Sequence, residues 1–119
     1  MIQASCHCGA VRIEIESLPE TLTRCTCSIC RRYGALWAYR TRKTARVVAG
    51  QQSEKPYVWG DKGIEFYHCS SCGCLTRYES AEKLVESRIA VNARMIEPAE
   101  IATLQIRTFD GADTWKYLD

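Results

Sequence analysis

Eight cysteines in three short clusters carry the reactive groups of this chain: Cys6-His7-Cys8, Cys25-Thr26-Cys27-Ser28-Ile29-Cys30 and Cys69-Ser70-Ser71-Cys72-Gly73-Cys74. Thiolates one or two residues apart can turn toward a common point about 2.3 Å away, the Zn–S distance, whereas such near neighbours make poor disulfides with each other. The spacing therefore reads as zinc ligation. A small secreted disulfide scaffold is the rival reading, and the even count suits it. Pairs separated by one residue do not suit it. Nor does the start Met1-Ile2-Gln3-Ala4-Ser5, which lacks the basic and apolar regions of a signal peptide. A reducing, cytoplasmic setting is expected, where such clusters hold metal rather than pair.

The clusters hold two, three and three cysteines, so their division among sites has to be argued. Cys6 and Cys8 form a C-x-C pair, and Cys69 and Cys72 form C-x-x-C-G, a knuckle whose glycine permits the tight turn. These four make a closed structural zinc site, which shuts a chain loop of about sixty residues that is otherwise entropically costly to hold closed. Cys25, Cys27 and Cys30 fill three corners of a second tetrahedron. Three protein ligands with one exchangeable position is the arrangement of catalytic zinc, although Cys74 or a histidine could close the fourth corner. Cys74 thus has three readings: a ligand, a small buried hydrophobe or a reactive thiol.

Zinc bound by three thiolates is anionic and calls for nearby positive charge. Arg24, Arg31 and Arg32 flank the triplet, balancing it, or holding the carboxylates of an acidic thiol ligand, or standing as solvated loop charge. His7 and His68 adjoin ligands but point to the other side of an extended segment, which favours supporting or surface roles over ligation. His68, Tyr33 and Tyr67 are the candidate proton donors.

The elements that must position these groups are mostly strands. Val11 to Glu16 alternates apolar and charged residues with the period of a half-buried strand. Further strands are expected over residues 35–40, 46–49, 57–59, 64–68, 75–78, 88–91 and 105–109, most of them rich in aromatic or β-branched residues. Gly60-Asp61-Lys62-Gly63 predicts a hairpin whose second strand delivers Cys69. Helix is slight: a turn at 28–32, a short piece at 81–85, and another at 98–102 where Pro98 suits a first turn. A mainly β domain spanning residues 1–119 is expected, with one core and a large contribution to stability from metal.

Sixteen basic and fourteen acidic residues leave a net charge of +2, too little to mark a nucleic-acid binder as a whole. The densest basic run, Arg40, Arg42, Lys43 and Arg46 after Trp37 and Tyr39, reads as solvated cations on an edge strand or loop rather than a nucleic-acid face. No apolar run reaches membrane-spanning length. Nothing in the pattern specifies an oligomer.

At C-H-C-G, C-T-C-S-I-C-R-R-Y-G and C-S-S-C-G, in this order, the chain resembles the family of glutathione-dependent formaldehyde-activating enzyme and centromere protein V. Trp115 after Phe109-Asp110-Gly111 stands where the family closes its terminal strand on tryptophan. The resemblance implies a β-tent fold of small antiparallel sheets with little helix. It also implies two Zn²⁺, one on Cys6, Cys8, Cys69 and Cys72 and a second on Cys25, Cys27 and Cys30. The implied activity is carbon–sulfur lyase chemistry on a small-molecule thiol/aldehyde adduct, S-hydroxymethylglutathione, with glutathione as co-substrate. The competing function is a non-catalytic, zinc-stabilised module that binds protein or nucleic acid. Cys74 departs from the small polar residue usual after C-x-x-C-G.

Overall fold

The computed structural model describes residues 1–119. Ten strands and two short α-helices follow one another as β1 (Ile2–Ser5), β2 (Arg12–Ile15), β3 (Thr21–Cys25), α1 (Ser28–Tyr33), β4 (Trp37–Thr41), β5 (Ala45–Ala49), β6 (Glu54–Val58), β7 (Ile64–Cys69), β8 (Leu75–Ser80), β9 (Arg88–Asn92), α2 (Pro98–Ile101) and β10 (Gln105–Phe109). The molecule is mainly β, as the residue pattern anticipates. A three-stranded sheet has the order β1-β2-β5, and a seven-stranded sheet the order β10-β3-β4-β9-β8-β7-β6.

Strand alternation makes two layers out of these sheets. Ile13 and Ile15 of β2 pack with Ala38 of β4 and with Ile89 and Val91 of β9 in a buried cluster, so one face of the large sheet is covered by the small one. Its other face carries rings. Direct pairings run Phe66 to Tyr78 to Ala90 to Tyr39 across β7, β8, β9 and β4, a single row on one side of the pleat. Ala90 is small, and the Tyr39 and Tyr78 rings meet edge-on across it, with centroids 6.5 Å apart.

Nearly all pairings are antiparallel, but β10 lies parallel to β3, pairing Phe109 with Cys25. That contact brings the end of the chain beside the cysteine triplet. The β6–β7 hairpin forms where Gly60-Asp61-Lys62-Gly63 predicts it, with the Lys62 N–H bonded to the Trp59 carbonyl at 3.0 Å. Pro56 lies in β6, the edge strand of the large sheet, where the missing donor is tolerated.

One local expectation needs correction, and two strands come in addition. Residues 81–85 form bends and a turn instead of a helix. Leu84 and Val85 are exposed there, so an isolated helical turn has no apolar face to bury, and Ser87 caps the loop by accepting from the Leu84 N–H. Strands β1 and β3 were not legible in the pattern. β1 buries only Ala4, and Thr21 to Cys25 resembles the approach to a metal loop as much as a strand.

Candidate metal centres and the cavity between the strands

Cys6, Cys8, Cys69 and Cys72 converge, with all four Sγ atoms within 4.8 Å of one another. A tetrahedron with Zn–S arms of about 2.3 Å has edges of about 3.8 Å. Here Cys6 Sγ lies 3.7 Å from Cys8 Sγ, which lies 3.6 Å from Cys69 Sγ. The donor set fits a tetrahedral thiophilic ion. Each pair sits on a turn. The Gly9 N–H donates to the Cys6 carbonyl at 3.0 Å, and the Gly73 N–H to the Cys69 carbonyl at 2.9 Å, with Gly73 at φ 79°, where a side chain would be strained. Such turns aim backbone N–H groups at sulfur. The Val11 N–H lies 3.3 Å from Cys6 Sγ, and the N–H groups of Cys74 and Cys8 lower the Cys72 thiol to about 5.

Cys74 belongs to neither thiol group. It packs half-buried beside Cys6, Val11 and Cys69, with the His7 N–H directed at its sulfur. It therefore stands on the side of the four-thiol cluster, away from the triplet. His7 is exposed, and its backbone rather than its ring serves the cluster.

Cys25, Cys27 and Cys30 form the second group, again with sulfurs within 4.8 Å of one another. Cys25 ends β3, Cys27 is the N-cap of α1, and Cys30 lies in the first turn of that helix, so two elements and the bend between them set all three. N–H donors surround them: Cys27 N to Cys25 Sγ at 3.5 Å, Cys30 N to Cys27 Sγ at 3.5 Å, and the Trp37 indole to Cys30 Sγ at 3.4 Å. Burial works upward on the Cys27 thiol, yet the Cys30 N–H and neighbouring donors bring it below its ordinary value. Trp37 is fully buried, and Cys30 is the partner its indole N–H requires.

The triplet lines a cavity of about 1030 Å³, and the four-thiol cluster does not. The floor is the ring row already described, Tyr39, Tyr78 and Phe66, joined by Trp37; Trp59 and Trp115 stand at the rim. Residues 110–117 lie against the triplet. Asp110 accepts from Thr26 Oγ1 at 2.8 Å and from Thr114 Oγ1 at 3.0 Å. Gly111 passes so close that a Cβ would fall 2.7 Å from Cys25 Sγ.

Of the three flanking arginines, only Arg31 lines the cavity. Arg24 alternates to the opposite side of β3 from Cys25 and donates to Thr108 Oγ1 at 3.0 Å; Arg32 turns back to the Ser28 carbonyl at 2.8 Å. Arg88 is the second cation, unmarked in the sequence because it comes from a distant strand. Its guanidinium sits 4.1 Å over the Tyr39 ring and 3.5 Å from the Tyr78 hydroxyl.

The proton-donor candidates also change. His68 Nε2 and the Tyr33 hydroxyl bond each other at 2.8 Å, and the Tyr67 hydroxyl donates to Glu65 at 2.8 Å, all outside the cavity lining. Tyr39 and Tyr78 take that place. Burial pushes both hydroxyls above the usual tyrosine range, so they are protonated at neutral pH. Three of the four cations in the basic run are engaged elsewhere: Arg40 bonds the Ser17 carbonyl at 2.7 Å, Arg42 pairs with Glu79 at 2.9 Å and Arg46 with Glu14 at 3.2 Å. No helix is long and apolar enough to cross a membrane.

A profile of the glutathione-dependent formaldehyde-activating enzyme family matches residues 1–109. The chain belongs to this family. A Halomonas elongata protein described as a "putative glutathione-dependent formaldehyde-activating enzyme" is 52% identical over 60% of this chain and 52% of its own length. The chain thus matches about half the length of that curated relative. The crystal structure of a Rhodobacter sphaeroides protein is similar at 30% identity, with a TM-score of 0.73, over 88% of this chain and 99% of the other.

Proposed function

We propose that this chain is a zinc-dependent carbon–sulfur lyase-type protein that forms or cleaves a glutathione-type thiol adduct, S-hydroxymethylglutathione being the reference case. Residues 1–119 act as one cytoplasmic domain of the β-tent type. Cys6, Cys8, Cys69 and Cys72 hold a structural zinc, and Cys25, Cys27 and Cys30 hold the working one. The observation that carries this reading is the asymmetry between the two thiol groups. Four sulfurs complete one tetrahedron, whereas three sulfurs face a cavity large enough for a small-molecule thiol.

When bound to the triplet, zinc would lower the pKa of an incoming thiol and hold it as the thiolate. The rest of the work falls to this chain's side chains. Arg31 and Arg88 are the cavity cations for the carboxylates of a glutathione-like ligand, with Asp61 the anion for its ammonium group. In the addition, thiol sulfur bonds the aldehyde carbon and the carbonyl oxygen takes up a proton; cleavage reverses both. The hydroxyls of Tyr39 and Tyr78 are the wall's donors to that oxygen, and Arg88 orients Tyr78. The N–H groups of Cys27, Cys30 and the Trp37 indole, directed at the three sulfurs, spread the negative charge of the thiolates.

The test is exchange NMR of zinc-loaded protein with glutathione and formaldehyde. Accelerated exchange between free and adduct formaldehyde is expected for the native chain and not for Cys27→Ser. Equal exchange in both removes the lyase reading.

A further inference from the structure

The rim of the cavity is more apolar than a hydroxymethyl adduct requires. Trp59 is 47% exposed, Trp115 70% and Ile64 40%, and all three line the same cavity. Exposed apolar side chains gathered at one mouth mark a binding surface. Eight of the 21 lining residues are aromatic, so the polar needs of a peptide thiol are met at Arg31, Arg88 and Asp61 with a wall of rings left over. A hydroxymethyl group adds only one carbon and one oxygen to sulfur. It cannot cover the ring row on the floor.

Trp115 adds an independent sign. Its backbone sits at φ 60°, a left-handed conformation that bulky residues rarely adopt. The turn holds it there: its N–H donates to the Asp110 carbonyl at 2.8 Å, and its ring meets Phe109 edge-on at 5.2 Å. Strain kept at a residue whose side chain is mostly exposed is not repaid by burial, and it places an indole beside the triplet.

We propose that the cavity takes the thiol adduct of an aromatic aldehyde, its flat group lying against the ring wall of Phe66, Tyr78 and the rim indoles. This inference rests on the reading that the triplet handles a glutathione-type thiol. It makes residues 110–117 the element that sets specificity for the carbonyl half.

The experiment is calorimetric titration of zinc-loaded protein with glutathione and two stable thioethers, S-methylglutathione and S-benzylglutathione. S-benzylglutathione binds at least about tenfold more tightly than the S-methyl compound, and Trp115→Ala brings the ratio to about twofold or less. Equal or undetectable binding of the thioethers while glutathione still binds overturns this inference alone. Failure of all three overturns the thiol reading with it. Sedimentation of the same samples supplies the remaining outcome: a dimer abolished by Trp115→Ala and unaffected by S-benzylglutathione overturns the proposal, since the rim would then be a contact between copies.

Discussion

Replacing Gly111 by alanine adds one methyl group at the point where the C-terminal segment crosses the triplet. The new Cβ would lie 2.7 Å from Cys25 Sγ and 3.2 Å from Cys27 Cβ. Comfortable separation is about 3.5–4.0 Å, so either the segment rises or Cys25 moves by roughly 1 Å. The backbone at Gly111 is outside the left-handed region, so alanine is conformationally acceptable and the contact alone is responsible. Overpacking of this kind costs about 1–3 kcal/mol. If the cost falls on the triplet, its zinc affinity drops by about 5- to 150-fold. Competition with a chromogenic chelator reads this directly: two ions are expected to leave the zinc-loaded native protein in separable steps, with Gly111→Ala advancing only the weaker step. Unchanged release of both ions, with unchanged thermal stability, would refute the placement of this segment against Cys25.

Other perturbations test other parts of the account. Trp37→Phe removes the N–H donor to Cys30 Sγ, and a hydrogen bond to a charged group is worth about 1.5–3 kcal/mol, so triplet zinc affinity measured by chelator competition falls at least tenfold. Arg77 and Glu54 form an ion pair with side chains each 4% exposed, while Arg77 Nε also meets Glu79 at 2.6 Å; Glu54→Ala leaves the two Nη groups of the buried guanidinium without a partner but keeps the Glu79 pair, and costs about 1–3 kcal/mol in urea unfolding of zinc-loaded protein. Burial works to raise the Glu79 carboxyl, but Arg77 and Lys83 hold it below the ordinary value of 4.5. A depressed folded-state pKa gives stability that is fully present above the ordinary value and is lost as pH falls through the lower one. The stability difference between the native chain and Glu79→Gln is therefore flat above pH 4.5 and shrinks below it, and taking the difference cancels acid loss of metal.

The cysteine clusters were legible because each is local. A bend such as Cys69 to Gly73 or Cys25 to Cys30 gathers its own sulfurs, so spacing alone announces the donor set. The hairpin before Cys69 was legible for the same reason. What the pattern did not carry is sheet register. Phe66, Tyr78 and Tyr39 become neighbours only because β7, β8, β9 and β4 pair as they do, and Arg88 reaches the cavity by the same route. Nearness in sequence misled at Arg24 and Arg32. Strand alternation turns the first away from Cys25, and a bond within its own helix occupies the second. Gly111 gave no sign of its role, since its need for a missing side chain arises from the parallel pairing of β10 with β3.

The central claim is that four thiols close one metal site while three leave the other open to a thiol ligand. Cadmium-113 NMR of protein loaded with that ion reads each site separately. Two resonances are expected, of which glutathione shifts one and Cys27→Ser removes that same one. A single resonance, or two that glutathione leaves in place, would contradict the account.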